Sequence, residues 1–322
     1  MHRGLSIAGA AAALILVLAA PETLAKGEGA TAIAAGEGAV WVGTGDGGVW
    51  RIDPPRARPR LALQSPTNRF IHGLAVRFGS LWMVDGNALV RADRRTGRIT
   101  GELALRGRRG WGYEIAVARG SLWIGGGVRN VVYGVRPKRP RVVARIRVPG
   151  RLIALFGGRG GPWLVAAPAS GAVTGPFGER IVYRLAPRRD RLVAMRRVSC
   201  DVELAAGAGV LWEADVCKRR VLAIDPTTGR PRGRPIPLNG SPTEAVVGFG
   251  ALWVVTQARC SVQQIDVTAQ RIVRTICARG GPAAAGAGAL WLVAHGAGSG
   301  GSVVRIDPRS GNVGRPIRIP AR

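Results

Sequence analysis

Residues 250–254 read Gly-Ala-Leu-Trp-Val, and the same step returns along the whole chain. It stands as Gly38-Ala39-Val40-Trp41, Gly79-Ser80-Leu81-Trp82, Gly120-Ser121-Leu122-Trp123, Gly161-Pro162-Trp163, Gly209-Val210-Leu211-Trp212 and Gly288-Ala289-Leu290-Trp291. The seven Trp follow one another at 41, 41, 40, 49, 41 and 38 residues. A period near forty with short apolar runs marks a chain of repeated supersecondary units. Seven such units, each one four-stranded sheet, close into a ring. The expected fold is all-β: a seven-bladed β-propeller of four-stranded antiparallel blades.

Strands extend outward from each Trp. In blade 2 they are expected at His72–Arg77, Ser80–Val84, Ala88–Ala92 and Arg98–Leu105, with Gly79 and Asp85-Gly86-Asn87 as turns. In blade 5 they are expected at Val202–Ala206, Val210–Ala214, Val221–Ile224 and Pro231–Leu238. Blades start near 31, 72, 113, 152, 202, 243 and 282 in one domain spanning 26–322. Five third strands end in Asp (Asp53, Asp93, Asp225, Asp266 and Asp307), where a carboxylate bonds backbone N–H groups ahead of it and opens a turn. The framed Trp are read as packing between blades, each with an indole N–H in need of a partner. No strand is left over at either terminus, so the ring is expected to close by face-to-face packing of blades 1 and 7, unless residues 26–30 add a short edge pairing.

The first 25 residues are read as a signal peptide: Arg3, an apolar run from Leu5 to Ala20, and a small-residue site at Thr23-Leu24-Ala25. An uncleaved anchor is the other reading. Cleavage leaves no transmembrane span, and the location is secreted or cell envelope. The chain carries 44 Arg and three Lys against 19 carboxylates, for a formal charge of +28. Codon composition that favours Arg, Ala and Gly is one reading of this excess; carboxylates do not rise to match it, so a positive field that draws anionic partners in a salt-sensitive way is expected. The clusters Arg94/Arg95/Arg98, Arg136/Lys138/Arg139/Arg141 and Arg230/Arg232/Arg234 fall in third-to-fourth strand turns and fourth strands, where edge protection also favours charge. The partners expected are an anionic cell-envelope polymer or a protein. Nucleic acid suits the charge, but export and the lack of a nucleic-acid motif oppose it. A monomer is expected.

Four cysteines in an exported chain point to disulfides. Cys200 and Cys217 are symmetric about the turn at 207–209, and Cys260 and Cys277 about the turn at 268–269. Of the three connectivities, 200–217 with 260–277 is favoured. Zinc is the rival, but no Cys-x-x-Cys and no nearby His support it.

Nine residues before the framed Trp stand Glu114, Glu203 and Glu244 in blades 3, 5 and 6. That register places three carboxylates around the channel mouth, where they could ligate Ca²⁺ or Mg²⁺, bind a cationic ligand or pair with Arg. Phe70, His72, Trp111, Tyr113 and Asp201 fall nearby and complete a candidate ligand pocket. His72 with the three Glu is the candidate catalytic set. The insertion at 167–180 in blade 4 lies on the same side and is a candidate partner loop. The chain contains no Gly-x-Ser-x-Gly, His-Glu-x-x-His or Walker phosphate loop.

The pairing of Gly250-Ala251-Leu252-Trp253-Val254 with Ile224-Asp225-Pro226-Thr227-Thr228-Gly229 resembles bacterial YVTN-type and streptogramin-lyase-like propellers over about residues 31–319. The resemblance implies the propeller fold and either a binding or scaffold role or lyase activity. The lyases use a metal-assisted His and Glu constellation that includes Glu-x-His. This chain holds only His2, His72 and His295, and no Glu-x-His. The reading is an exported binding module; the alternative is a metal-assisted hydrolase or lyase with its site at the mouth.

Overall fold

The computed structural model describes residues 29–67, 70–71, 73–85, 88–105, 114–126, 130–158, 160–169, 177–186, 191–294 and 301–320. They form seven antiparallel four-stranded sheets, each made of four strands consecutive in sequence. The first strands run Ala30–Gly36, Leu74–Arg77, Glu114–Ala118, Arg151–Phe156, Val202–Gly207, Pro242–Gly248 and Gly280–Gly286. They line the centre, and first strands of adjacent blades are in contact at every junction except that of blades 4 and 5, which pack through their buried side chains. The molecule is a seven-bladed β-propeller.

The repeated Gly sets the first hairpin of six blades. In blade 2, Arg77 pairs with Ser80, leaving only Phe78 and Gly79 in the loop. Both have positive φ, 59° and 70°, the backbone that a two-residue hairpin turn needs to match strand twist. The same pairs are Glu37-Gly38, Arg119-Gly120, Ala208-Gly209, Phe249-Gly250 and Ala287-Gly288. Blade 4 departs from this, with Phe156 pairing directly with Trp163 across a longer loop.

Each framed Trp packs its blade against the next. Trp41 lies among buried side chains of blades 1 and 2, Trp82 of 2 and 3, Trp123 of 3 and 4, and Trp163 of 4 and 5. Trp212, Trp253 and Trp291 continue through blades 5, 6, 7 and back to 1. The ring thus closes by packing of Trp291, Val303 and Ile317 against Val40, Trp50 and Ile52. No strand is exchanged between blades among the described residues. The indoles of Trp82, Trp123, Trp253 and Trp291 donate to the carbonyl five residues back. Those of Trp41, Trp163 and Trp212 are buried without an acceptor.

Four of the five turn Asp act as expected. Asp93, Asp225, Asp266 and Asp307 each accept two backbone N–H groups two and three residues ahead. These bonds hold their carboxyls below the usual range, Asp225 at about 2. Asp53 differs because Pro54 and Pro55 follow it and offer no N–H. It pairs instead with Arg51 and Arg60.

Candidate functional site

Glu114, Glu203 and Glu244 each sit at or near the start of a first strand, opposite Gly125, Ala214 and Val255. A first strand is the inner edge of its blade, so its channel-side N–H groups have no strand partner. Carboxylates fill part of that gap. Glu114 Oε2 accepts the Leu155 N–H of blade 4 at 2.5 Å. Glu244 accepts the N–H of Ala283 in blade 7 and that of its neighbour Ala245. Both lean toward the following blade and fasten it.

Glu203 is repelled by Glu244 and Glu114, and Glu244 by Glu114. Each keeps some access to solvent but is otherwise surrounded by protein. That burial pushes Glu114 and Glu244 up to about 7, against the lowering effect of their N–H donors. Glu203 rises well above the carboxylate range, first through burial and then through repulsion from Glu244, Glu114 and Asp201. No cation is among the groups that set these values. Burial and mutual repulsion therefore favour the protonated form of these carboxyls.

Among the described residues no group of three or more His, Cys, Asp or Glu is placed to hold a metal ion, and that includes these three Glu. Asp201 is held by Arg180, whose side chain is 2% exposed and whose Nε lies 2.5 Å away. Sequence reasoning missed Arg180, which sits at the end of the blade 4 insertion. Phe70 is half-buried after blade 1. His72, Trp111 and Tyr113 lie outside the described residues, as does half of the insertion, 170–176.

Two disulfides join Cys200 to Cys217 and Cys260 to Cys277, the expected pairing. Cys200 ends the last strand of blade 4 and is followed directly by Asp201 and the first strand of blade 5. The bond therefore pins this part of the mouth.

The opposite end of the ring carries the first-hairpin tips and the third-to-fourth strand turns. Glu37, on the blade 1 tip, accepts the Gly79 N–H at 3.1 Å and pairs with Arg94 at 2.6 Å, tying the two kinds of loop together. Part of the Arg excess is structural here. Arg51 and Arg184 stand opposite framed Trp and donate to Arg94 and Pro226 carbonyls in the next blade at 2.7 and 2.6 Å, and Gln264 reaches Pro308 in the same way. Arg51 and Arg91 also lie over the rings of Trp41 and Trp82. The offset from each Trp varies with loop length, which hides this clamp in the sequence.

Other cations on that end are exposed: Arg95, Arg98, Lys138, Arg139, Arg230 and Arg271. Among the described residues the carboxylates of its turns are already engaged: Asp53 and Glu37 in ion pairs, the four turn Asp with backbone. The molecule thus has three carboxyls raised by burial in its channel and exposed cations at both ends, the mouth carrying Arg147, Arg151, Lys218, Arg219, Arg259 and Arg279.

No protein-family model and no curated protein sequence matches the chain. Solved structures do. A streptogramin B lyase structure superposes with a TM-score of 0.63 at 16% identity, over 83% of this chain and 91% of that one. A chain of the mitotic checkpoint complex gives 0.63 at 10%, over 82% and 84%. The Neurospora crassa Pan2 WD40 domain gives 0.60 at 11%, over 85% of each. The shared property is the β-propeller fold. At these identities the likeness carries no activity.

Proposed function

We propose that the protein is an exported interaction module that holds an anionic component of the cell envelope through its basic end. The observation that carries this reading is the exposed Arg and Lys of the third-to-fourth strand turns, on an end where the turn carboxylates among the described residues are already spent in turns and ion pairs. Two disulfides and the apolar N-terminal run support an extracytoplasmic setting. The Gly-x-Leu-Trp and Ile-Asp-Pro repeats support kinship with YVTN-type propellers. Protein complexes among the propeller neighbours fit an interaction role. The lyase alternative gains nothing from the sequence, which has no Glu-x-His.

Retention on immobilised polyphosphate tests the proposal. The chain is expected to bind at about 0.1 M salt and elute well before about 1 M, where the screening length falls to about 3 Å. Replacing Arg95, Arg98, Arg230 and Arg271 with Gln is expected to shift elution to lower salt. Equal retention at both salts, or none at either, overturns the reading.

A further inference from the structure

We infer that the basic end docks on an anionic lipid bilayer, with Phe78 and Phe249 entering the headgroup region. The inference rests on the proposed anionic partner and names its class.

The apolar side chains of this end carry it. Phe78 and Phe249 occupy the same hairpin-tip position in blades 2 and 6, with φ of 59° and 55°. Bulky residues rarely adopt that backbone; Asn or Gly serves such a turn without strain. Both rings are nonetheless exposed, at 39% and 47%. The turn therefore keeps two aromatics in a conformation that disfavours them, outside the buried clusters of the core.

They are not isolated. Ile99, Val142, Val143 and Val273 are exposed within the first three residues of fourth strands, and Val313 lies in the third-to-fourth strand loop of blade 7. Seven of the eight large exposed apolar side chains among the described residues thus belong to this end or its rim; only Phe177 lies at the other. Arg95, Arg98, Lys138, Arg139 and Arg271 are interleaved with them. A soluble polyanion would use the cations and leave the apolar groups in water. A bilayer uses both: cations meet anionic headgroups while aromatic and aliphatic side chains enter the interface.

The test is co-sedimentation of the full chain with vesicles of phosphatidylglycerol and phosphatidylcholine, against pure phosphatidylcholine. The variant is Phe78→Asn with Phe249→Asn, which makes each tip the Asn-Gly pair this turn prefers and keeps the hairpins folded. Phe177→Asn is the control from the other end. Any contribution of the N-terminal apolar run is the same in all three chains. The account predicts partition onto anionic vesicles, a loss of about tenfold or more in the double Asn variant, an unchanged or raised melting temperature in that variant, and no change for Phe177→Asn. Equal partition of the double variant and the parent overturns the inference. So does polyphosphate binding without vesicle binding, which leaves a soluble polymer as the ligand and the proposed function intact. Failure to bind either would remove the proposed function as well.

Discussion

Glu114 of blade 3 accepts the backbone N–H of Leu155 in blade 4, and Glu244 of blade 6 repeats the contact three blades later, on Ala283 of blade 7. Each acid fastens a neighbouring inner strand while burial lifts it to about 7. The unfolded chain titrates these groups near 4.5. Between the two values the folded state binds more protons, so the contribution is complete below 4.5 and is lost as pH rises through 7. Glu114→Gln and Glu244→Gln keep an acceptor but do not titrate. Urea unfolding of these variants is expected to show a flatter decline between pH 4.5 and 7.5 than the parent. An identical decline would show that the two acids do not hold protons in the folded channel.

The turn Asp work in the opposite sense. Asp225, at about 2 when folded against 3.8 unfolded, contributes stability above 3.8 that is lost as pH falls toward 2. Asp225→Ala also strands the Thr227 and Thr228 N–H groups. Asp53→Ala strands none, because Pro54 and Pro55 have none to offer. Thermal melts at neutral pH are expected to show the larger drop for Asp225→Ala.

The repeat frame made the blades, the hairpin turns and the positions of the three acids readable, because each follows from a fixed distance to Trp; the disulfide pairing was readable from its symmetry about two hairpin turns. What stayed hidden is pairing across variable loops. Arg180 on Asp201, the Arg51 and Arg184 clamps, and the Arg196 Nε that lies 2.9 Å from buried Glu213 join residues at separations the period does not set. The exposure of Phe78 and Phe249 was hidden for another reason. In sequence both look like ordinary apolar residues before a strand, and only the positive φ of the tip turns them outward.

The Trp divide into two classes with different costs. Trp253 donates to Gly248 O at 3.0 Å, whereas the indole N–H of Trp212 is buried without an acceptor. Both rings are fully buried, so either change to Ala is expected to cost about 3–5 kcal/mol. Change to Phe separates them: Trp253→Phe also loses a hydrogen bond and is expected to cost about 1 kcal/mol more than Trp212→Phe. Denaturant melts of the two Phe variants measure the difference.

Each disulfide closes a loop with a sequence separation of 17. Loop-closure entropy for that length predicts a loss of about 3 kcal/mol when one pair is changed to Ser. The two pairs lie in different blades, so the losses are expected to add within about 0.5 kcal/mol. Urea midpoints of the two double variants and the quadruple variant check both statements.

The basic end of the ring is the proposed binding face. Amide hydrogen exchange of the chain with and without an anionic polymer reads this directly. Protection is predicted at the Phe78-Gly79 and Phe249-Gly250 tips and in the turns at 93–98, 225–230 and 266–270. Protection confined to the mouth, at 44–48, 201–203 and 256–261, would contradict the account and place the site among Glu114, Glu203 and Glu244.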